Sequence, residues 1–104
     1  MKTKSKSIAQ LKIENQDYSI RATIHAQERM EERNIDKHQA VSIILALGEK
    51  RITDLQKENE EAIIIDRERD AAIVIGFKGN KIQIITVIDK ANVFIKEGTR
   101  VEQI

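Results

Sequence analysis

The chain of 104 residues contains no cysteine, no proline and no tryptophan, and its only aromatic residues are one tyrosine and two phenylalanines. The lack of cysteine excludes disulfides and thiolate metal sites. The lack of proline leaves its strands without the residue that most often interrupts a sheet. Because aromatic side chains are so few, the core has to be built from aliphatic residues, and the abundance of isoleucine favours strands.

Long hydrophobic runs are also missing. No run approaches the roughly 20 apolar residues that a membrane-spanning helix requires, and no apolar stretch follows the lysine-rich start as a secretory signal would need. We therefore expect a protein that does not contact membranes and that works in the reducing cytoplasm.

Positive charge is concentrated at the start of the chain. Residues 1–12 contain four lysines and no acid, whereas the formal net charge of the whole chain is only +1. The rest of the chain is therefore mildly acidic, which is unlike the strongly basic surface of a tight nucleic-acid binder. We expect residues 1–7 to form a disordered basic tail and residues 8–104 to form one domain.

Two helices are predicted in the first half of the chain. Thr23 is a suitable N-cap for the first helix, and Asn34 is a suitable left-handed residue to end it. Asp36 and Gln39 have the spacing of a capping box at the start of the second helix, which Gly48 is expected to end.

Strand patterns lie on both sides of these helices. The candidate segments are residues 8–13, 18–20, 51–56, 62–66, 71–77, 82–88 and 91–95. The short polar links between the later segments predict an antiparallel sheet of four or five strands, so the predicted fold class is α+β, with an N-terminal strand or arm and two helices preceding the sheet. Several segments are apolar on both faces, which predicts that both faces are covered. The helices would cover one face, and the N-terminal strand region, the C-terminal tail or the second subunit of a homodimer would cover the other.

The first predicted helix carries a cationic stripe. His25, Arg29 and Arg33 are spaced at i, i+4 and i+8, and these positions share one helix face with a drift of about 40°. An imidazole beside two guanidiniums is suited to binding a phosphate and transferring a proton near it. The alternative is an ordinary solvated face, in which Arg29 pairs with Glu32 at i+3.

The motif HAxxRMxxRxI, which starts at His25 and ends at Ile35, resembles the hallmark helix of a family of small bacterial and phage domains of uncharacterised function. That family is similar to the RelE/ParE-like toxins of the barnase–EndoU–colicin–RelE ribonuclease fold. The resemblance covers roughly residues 20–95 and implies a RelE-like fold, RNA as the substrate and a protein antidote as a partner. It also singles out Thr86, which matches a hydroxyl-bearing strand position of the family.

The leading hypothesis is a metal-independent endoribonuclease of toxin type, which cleaves RNA, free or associated with ribosomes, by attack of a 2′-hydroxyl. Its catalytic residues would be His25, Arg29, Arg33 and Thr86, with Glu28 or Glu32 as the second proton-transfer group. No cofactor is expected, and the two histidines lack the spacing of metal ligands such as HExxH. The alternative is a non-catalytic interaction module of the same fold that dimerises and binds a protein partner.

Overall fold

A computed structural model describes residues 6–68, 70–88 and 100–104. The predicted α+β class is confirmed, although the described residues form three helices where two were predicted. The elements are β1 (Lys6–Ile13), β2 (Gln16–Ala22), α1 (Ile24–Glu32), α2 (Lys37–Leu45), α3 (Glu49–Glu58), β3 (Ala62–Asp66), β4 (Ala71–Lys78), β5 (Lys81–Ile88) and β6 (Arg100–Gln103). The strand predicted at residues 91–95 lies outside the described residues, as does most of the predicted basic tail.

The described strands form one six-stranded sheet in the order β1-β2-β5-β4-β3-β6. Most neighbouring strands are antiparallel, but β2 pairs with β5 in parallel, and β3 pairs with β6 in parallel. The prediction of a purely antiparallel sheet with four or five strands was therefore wrong in both strand number and direction. Both parallel pairs join strands that are far apart in the chain, so the local hydrophobic pattern could not reveal them.

Two-residue turns connect the strands of the β1–β2 and β4–β5 hairpins. Glu14 and Asn15 both have positive φ, 49° and 66°, between β1 and β2. Positive φ at both central residues is the geometry of the two-residue turn that best matches strand twist. Gly79, at φ 59°, and Asn80 connect β4 to β5, within the short polar link predicted between residues 71–77 and 82–88.

Three of the four predicted helix boundaries are confirmed, and the end of the second helix at Gly48 is wrong. The Thr23 hydroxyl accepts a hydrogen bond from the Ala26 amide at 3.0 Å, and Asp36 and Gln39 form the full reciprocal capping box. Asn34 has φ 58°. The second helix, α2, ends at Leu45, three residues before Gly48, which instead precedes α3.

The strand predicted at residues 51–56 was wrong, because these residues lie in helix α3. Ile52 and Leu55 are fully buried, and their i, i+3 spacing places both on one face of a helix. Glu49 lies in the first turn, and Asn59 ends the helix in the left-handed conformation. The polar residues between the two apolar positions fit a helix that packs one narrow face on the sheet.

The core lies between the three helices and one face of the sheet, and it is aliphatic, as the composition predicted. Its largest fully buried side chains are Ile13, Ile20, Ile43, Ile44, Ile52, Leu55, Ile64, Ile73, Ile75, Ile82, Ile84 and Val87. We call this the inner face of the sheet and the opposite one the outer face. No helix in the described part of the chain is long and apolar enough to cross a membrane.

Candidate functional site

The start of α1 is fixed to β5 by Thr23. Its side chain accepts a hydrogen bond from the Ala26 amide and donates one to the Ile85 carbonyl, each at 3.0 Å. Its backbone N–H also donates to the Ile84 carbonyl at 3.2 Å. One threonine therefore caps the helix and joins it to the sheet, which places His25 next to the middle of β5.

The cationic stripe lies on α1, which contributes the buried residues Ala26 and Met30 to the core. His25 is exposed in the first turn, whereas Arg29 and Arg33 are half-buried. Arg33 is the C-cap residue of the helix, and its N–H donates to the Arg29 carbonyl at 3.0 Å. The imidazole is therefore more exposed than either guanidinium.

The alternative interpretation of Arg29 is confirmed in part, because its Nη1 lies 3.1 Å from Oε1 of Glu32. The arginine side chain is 41% exposed and the glutamate side chain 61% exposed. Ion pairs this exposed contribute about 0.5 kcal/mol. A phosphate could therefore displace Glu32 from Arg29 at little energetic cost.

Thr86 lies on a different element from the stripe. It pairs with Val74 across β4 and β5, whereas the neighbouring pair Ile73 and Val87 is buried on the inner face. Since side chains alternate along a strand, Thr86 takes the outer face. Strand β2 ends at Ala22, opposite Ile84, so Thr86 lies beyond the end of β2. Joint action of Thr86 with the three helix residues stays a prediction.

The sequence predictions missed a second cationic cluster, which we call the outer cluster: Arg21, Lys78 and Lys81, with Gln83. These four residues line one pocket of about 150 Å³ on the outer face. In the sequence, the two lysines belong only to the polar link between the predicted strand segments 71–77 and 82–88. Their spacing around Gly79-Asn80 was a usable signal, because a two-residue turn places its flanking residues directly opposite each other.

The described residues contain no group of three or more His, Asp or Glu side chains arranged to hold a metal ion. The described carboxylates near the stripe, Glu28 and Glu32, are both exposed. Helix α1 presents an exposed imidazole and, one turn further on, a guanidinium. An imidazole can transfer a proton to or from an anion that a neighbouring guanidinium binds.

Comparisons of this chain with protein-family models, with curated proteins and with solved structures found no match. The family resemblance of the helix motif therefore stays a prediction, and any function has to be argued from the residues themselves.

Proposed function

We propose that this protein is a metal-independent endoribonuclease of RelE-like type, with His25 as a proton-transfer group and with Arg29 and Arg33 as phosphate ligands. The observation that carries the proposal is the exposed imidazole in the first turn of α1 with Arg29 one turn further on. RNA, including RNA on ribosomes in the cytoplasm, is the proposed substrate, and a protein antidote is a proposed partner.

In the proposed reaction, a base takes the proton of the 2′-hydroxyl, and the 2′-oxygen bonds to phosphorus. The bond from phosphorus to the 5′-oxygen then breaks, and an acid protonates the leaving oxygen. His25 is suited to one of these two proton transfers because an imidazole ring has one nitrogen that can donate a proton and one that can accept it. Glu28 or Glu32 is the proposed partner for the other, and Thr86 would position the substrate by a hydrogen bond.

Two local features support anion binding beside His25. The first turn of α1 contains no acidic residue, and the N-terminus of a helix has a partial positive charge that favours an anion. Guanidinium groups stabilise the negative charge that develops on the phosphoryl oxygens in the transition state, and they bind phosphate through paired donors.

One observation favours the alternative, a non-catalytic module that dimerises and binds a protein partner. The outer face of the sheet carries Val74 and Ile88, which are half-buried, and Val101, which is 39% exposed. Apolar residues on an accessible sheet face are suited to contact with another protein surface.

The test is incubation of purified protein with total RNA in the presence of a metal chelator and, separately, with translating ribosomes in the magnesium buffer that they require. His25→Ala should lower the cleavage rate by about 10²- to 10⁴-fold, the usual contribution of a general acid or base. Arg29→Ala should also reduce it. His38→Ala is the matched control, because His38 is the other histidine and is exposed on α2.

Folded wild-type protein that cleaves neither substrate would contradict the proposal and favour the interaction module. Cleavage that His25→Ala and His38→Ala reduce equally would also contradict it, because the assigned imidazole would then have no special role.

A further inference from the structure

The outer cluster is placed by strands that are rigidly paired. Lys78 and Lys81 are directly opposite across the β4–β5 hairpin, and on the neighbouring strand Arg21 is opposite Gln83. In both parallel and antiparallel pairing, directly opposite residues project from the same face of the sheet. Three cationic side chains on three adjacent strands therefore converge on the outer face.

This arrangement is electrostatically unfavourable in the absence of a ligand. Like charges directly opposite on a sheet destabilise it. Within residues 6–68, 70–88 and 100–104, no ion pair includes Lys78 or Lys81. Asp17 is the acidic residue of β2, the strand that carries Arg21, and its carboxylate pairs with Lys12 at 3.3 Å. A bound anion would relieve the repulsion between the two lysines.

The space at the cluster fits a phosphate group. Its pocket of about 150 Å³ corresponds to roughly five water volumes. The Gln83 amide can donate a hydrogen bond to a phosphate oxygen, and ammonium and guanidinium groups supply charge-assisted donors.

A second pocket of about 260 Å³ adjoins the first, and the two share Lys78 and Gln83. Its lining includes Gly76 and Ile85, together with Glu61. The missing side chain of Gly76 keeps this space open, because a Cβ there would lie only 3.2 Å from Cδ1 of Ile85. Most of this lining is polar: Ile85 offers a base an apolar contact, and the Glu61 carboxylate can accept a hydrogen bond from an amino group at the edge of the base.

We infer that the outer cluster binds a phosphate group of single-stranded RNA, with the attached base in the adjoining pocket. The RNA part of this inference rests on the proposed function. Arg21 precedes His25 by four residues, so their backbones are at most about 14 Å apart. Since α1 packs on the inner face and the cluster lies on the outer face, an RNA strand that contacts both has to pass around the end of β2, where Arg21 lies.

The test is the binding of a fluorescein-labelled 12-nucleotide single-stranded RNA, measured by anisotropy between 50 and 300 mM salt. The variant is Lys78→Gln/Lys81→Gln, which removes the repulsion and should fold at least as well as wild type. The control is Lys37→Gln/Lys57→Gln, which makes the same change in net charge at two exposed helix positions.

Each phosphate that the protein neutralises contributes about 0.7 to the slope of log K against log salt for single strands. Because Lys78 and Lys81 share one phosphate, the cluster variant should lower the magnitude of the slope by about 0.7 and weaken binding roughly fourfold at 0.15 M salt. The control variant should bind like wild type. Equal loss in the two variants would overturn the inference, because net charge alone would then explain binding.

Inorganic phosphate tests the same site without the base. If phosphate raises the melting temperature of wild type but not of the cluster variant, and RNA does not bind, the cluster binds small phosphates and the RNA assignment is overturned. RNA binding that depends on Lys78 and Lys81 in a protein without cleavage activity would support the inference and contradict the proposed function. Cleavage that proceeds at the wild-type rate in the cluster variant would support the proposed function and contradict the inference.

Discussion

Thr23 offers the sharpest test of how the fold positions the candidate site. Its hydroxyl takes part in two hydrogen bonds of 3.0 Å, accepting from the Ala26 amide and donating to the Ile85 carbonyl. Thr23→Val keeps the shape of the side chain and removes both bonds. Loss of an N-cap costs about 1 kcal/mol, and loss of a second, partly buried hydrogen bond costs about 1 kcal/mol more.

We therefore expect Thr23→Val to lower the free energy of unfolding by about 2 kcal/mol. For a domain of this size, 1 kcal/mol corresponds to about 4–8 °C in melting temperature, so the expected decrease is about 8–16 °C. The measurement is urea and thermal unfolding followed by circular dichroism. Thr23→Ser, which keeps the hydroxyl, should lose less than half as much.

A Thr23→Val protein whose free energy of unfolding lies within about 0.5 kcal/mol of the wild-type value would refute this reasoning. Loss of the helix cap and of the hydrogen bond that joins α1 to β5 should together cost more than that. A serine variant that lost more stability than the valine variant would also refute it. In that case the methyl packing of Thr23, not its hydroxyl, would fix the start of α1.

Three further predictions concern stability. Ile44→Ala removes a fully buried side chain and should cost about 3 kcal/mol in urea unfolding; a loss below 1 kcal/mol would contradict the packing described for α2. Asp36→Ala removes the capping box and should cost about 1 kcal/mol, whereas Asp36→Asn should largely retain the cap. Burial, and secondarily the charge of Glu14, raises the pKa of Tyr18, so the folded state favours the neutral phenol. This contribution to stability is fully present below pH 10, the usual pKa of tyrosine, and is lost as the pH rises through the folded pKa. Alkaline unfolding should therefore begin at higher pH in Tyr18→Phe than in wild type. An unchanged midpoint of alkaline unfolding would contradict this prediction.

The candidate site shows how far sequence reasoning could go. The motif located the stripe of His25, Arg29 and Arg33 on a helix, and the structure confirms that helix and its Thr23 cap. The pairing of Arg29 with Glu32 was one of the stated alternatives. The outer cluster was missed because Arg21 and Lys81 are distant in sequence and become neighbours only when β2 pairs with β5.

The third helix was missed for a different reason. Ile52 and Leu55 fit a helical period, but two buried positions in a short polar segment are a weak signal that resembles a modest strand. Packing against the sheet decided the outcome, because both side chains become fully buried only when they share one helix face.

The sequence by itself determined the aliphatic core, the ends of α1 and the start of α2, and the Gly79-Asn80 hairpin. These features depend on side chains that interact with a backbone only a few residues away, or on composition alone. Only the tertiary structure decided the parallel pairing of β2 with β5 and of β3 with β6, the face taken by Thr86 and the meeting of Arg21 with Lys78 and Lys81. Each of these depends on contacts between distant segments, whose free energy comes from burying whole surfaces together and is invisible to any local pattern.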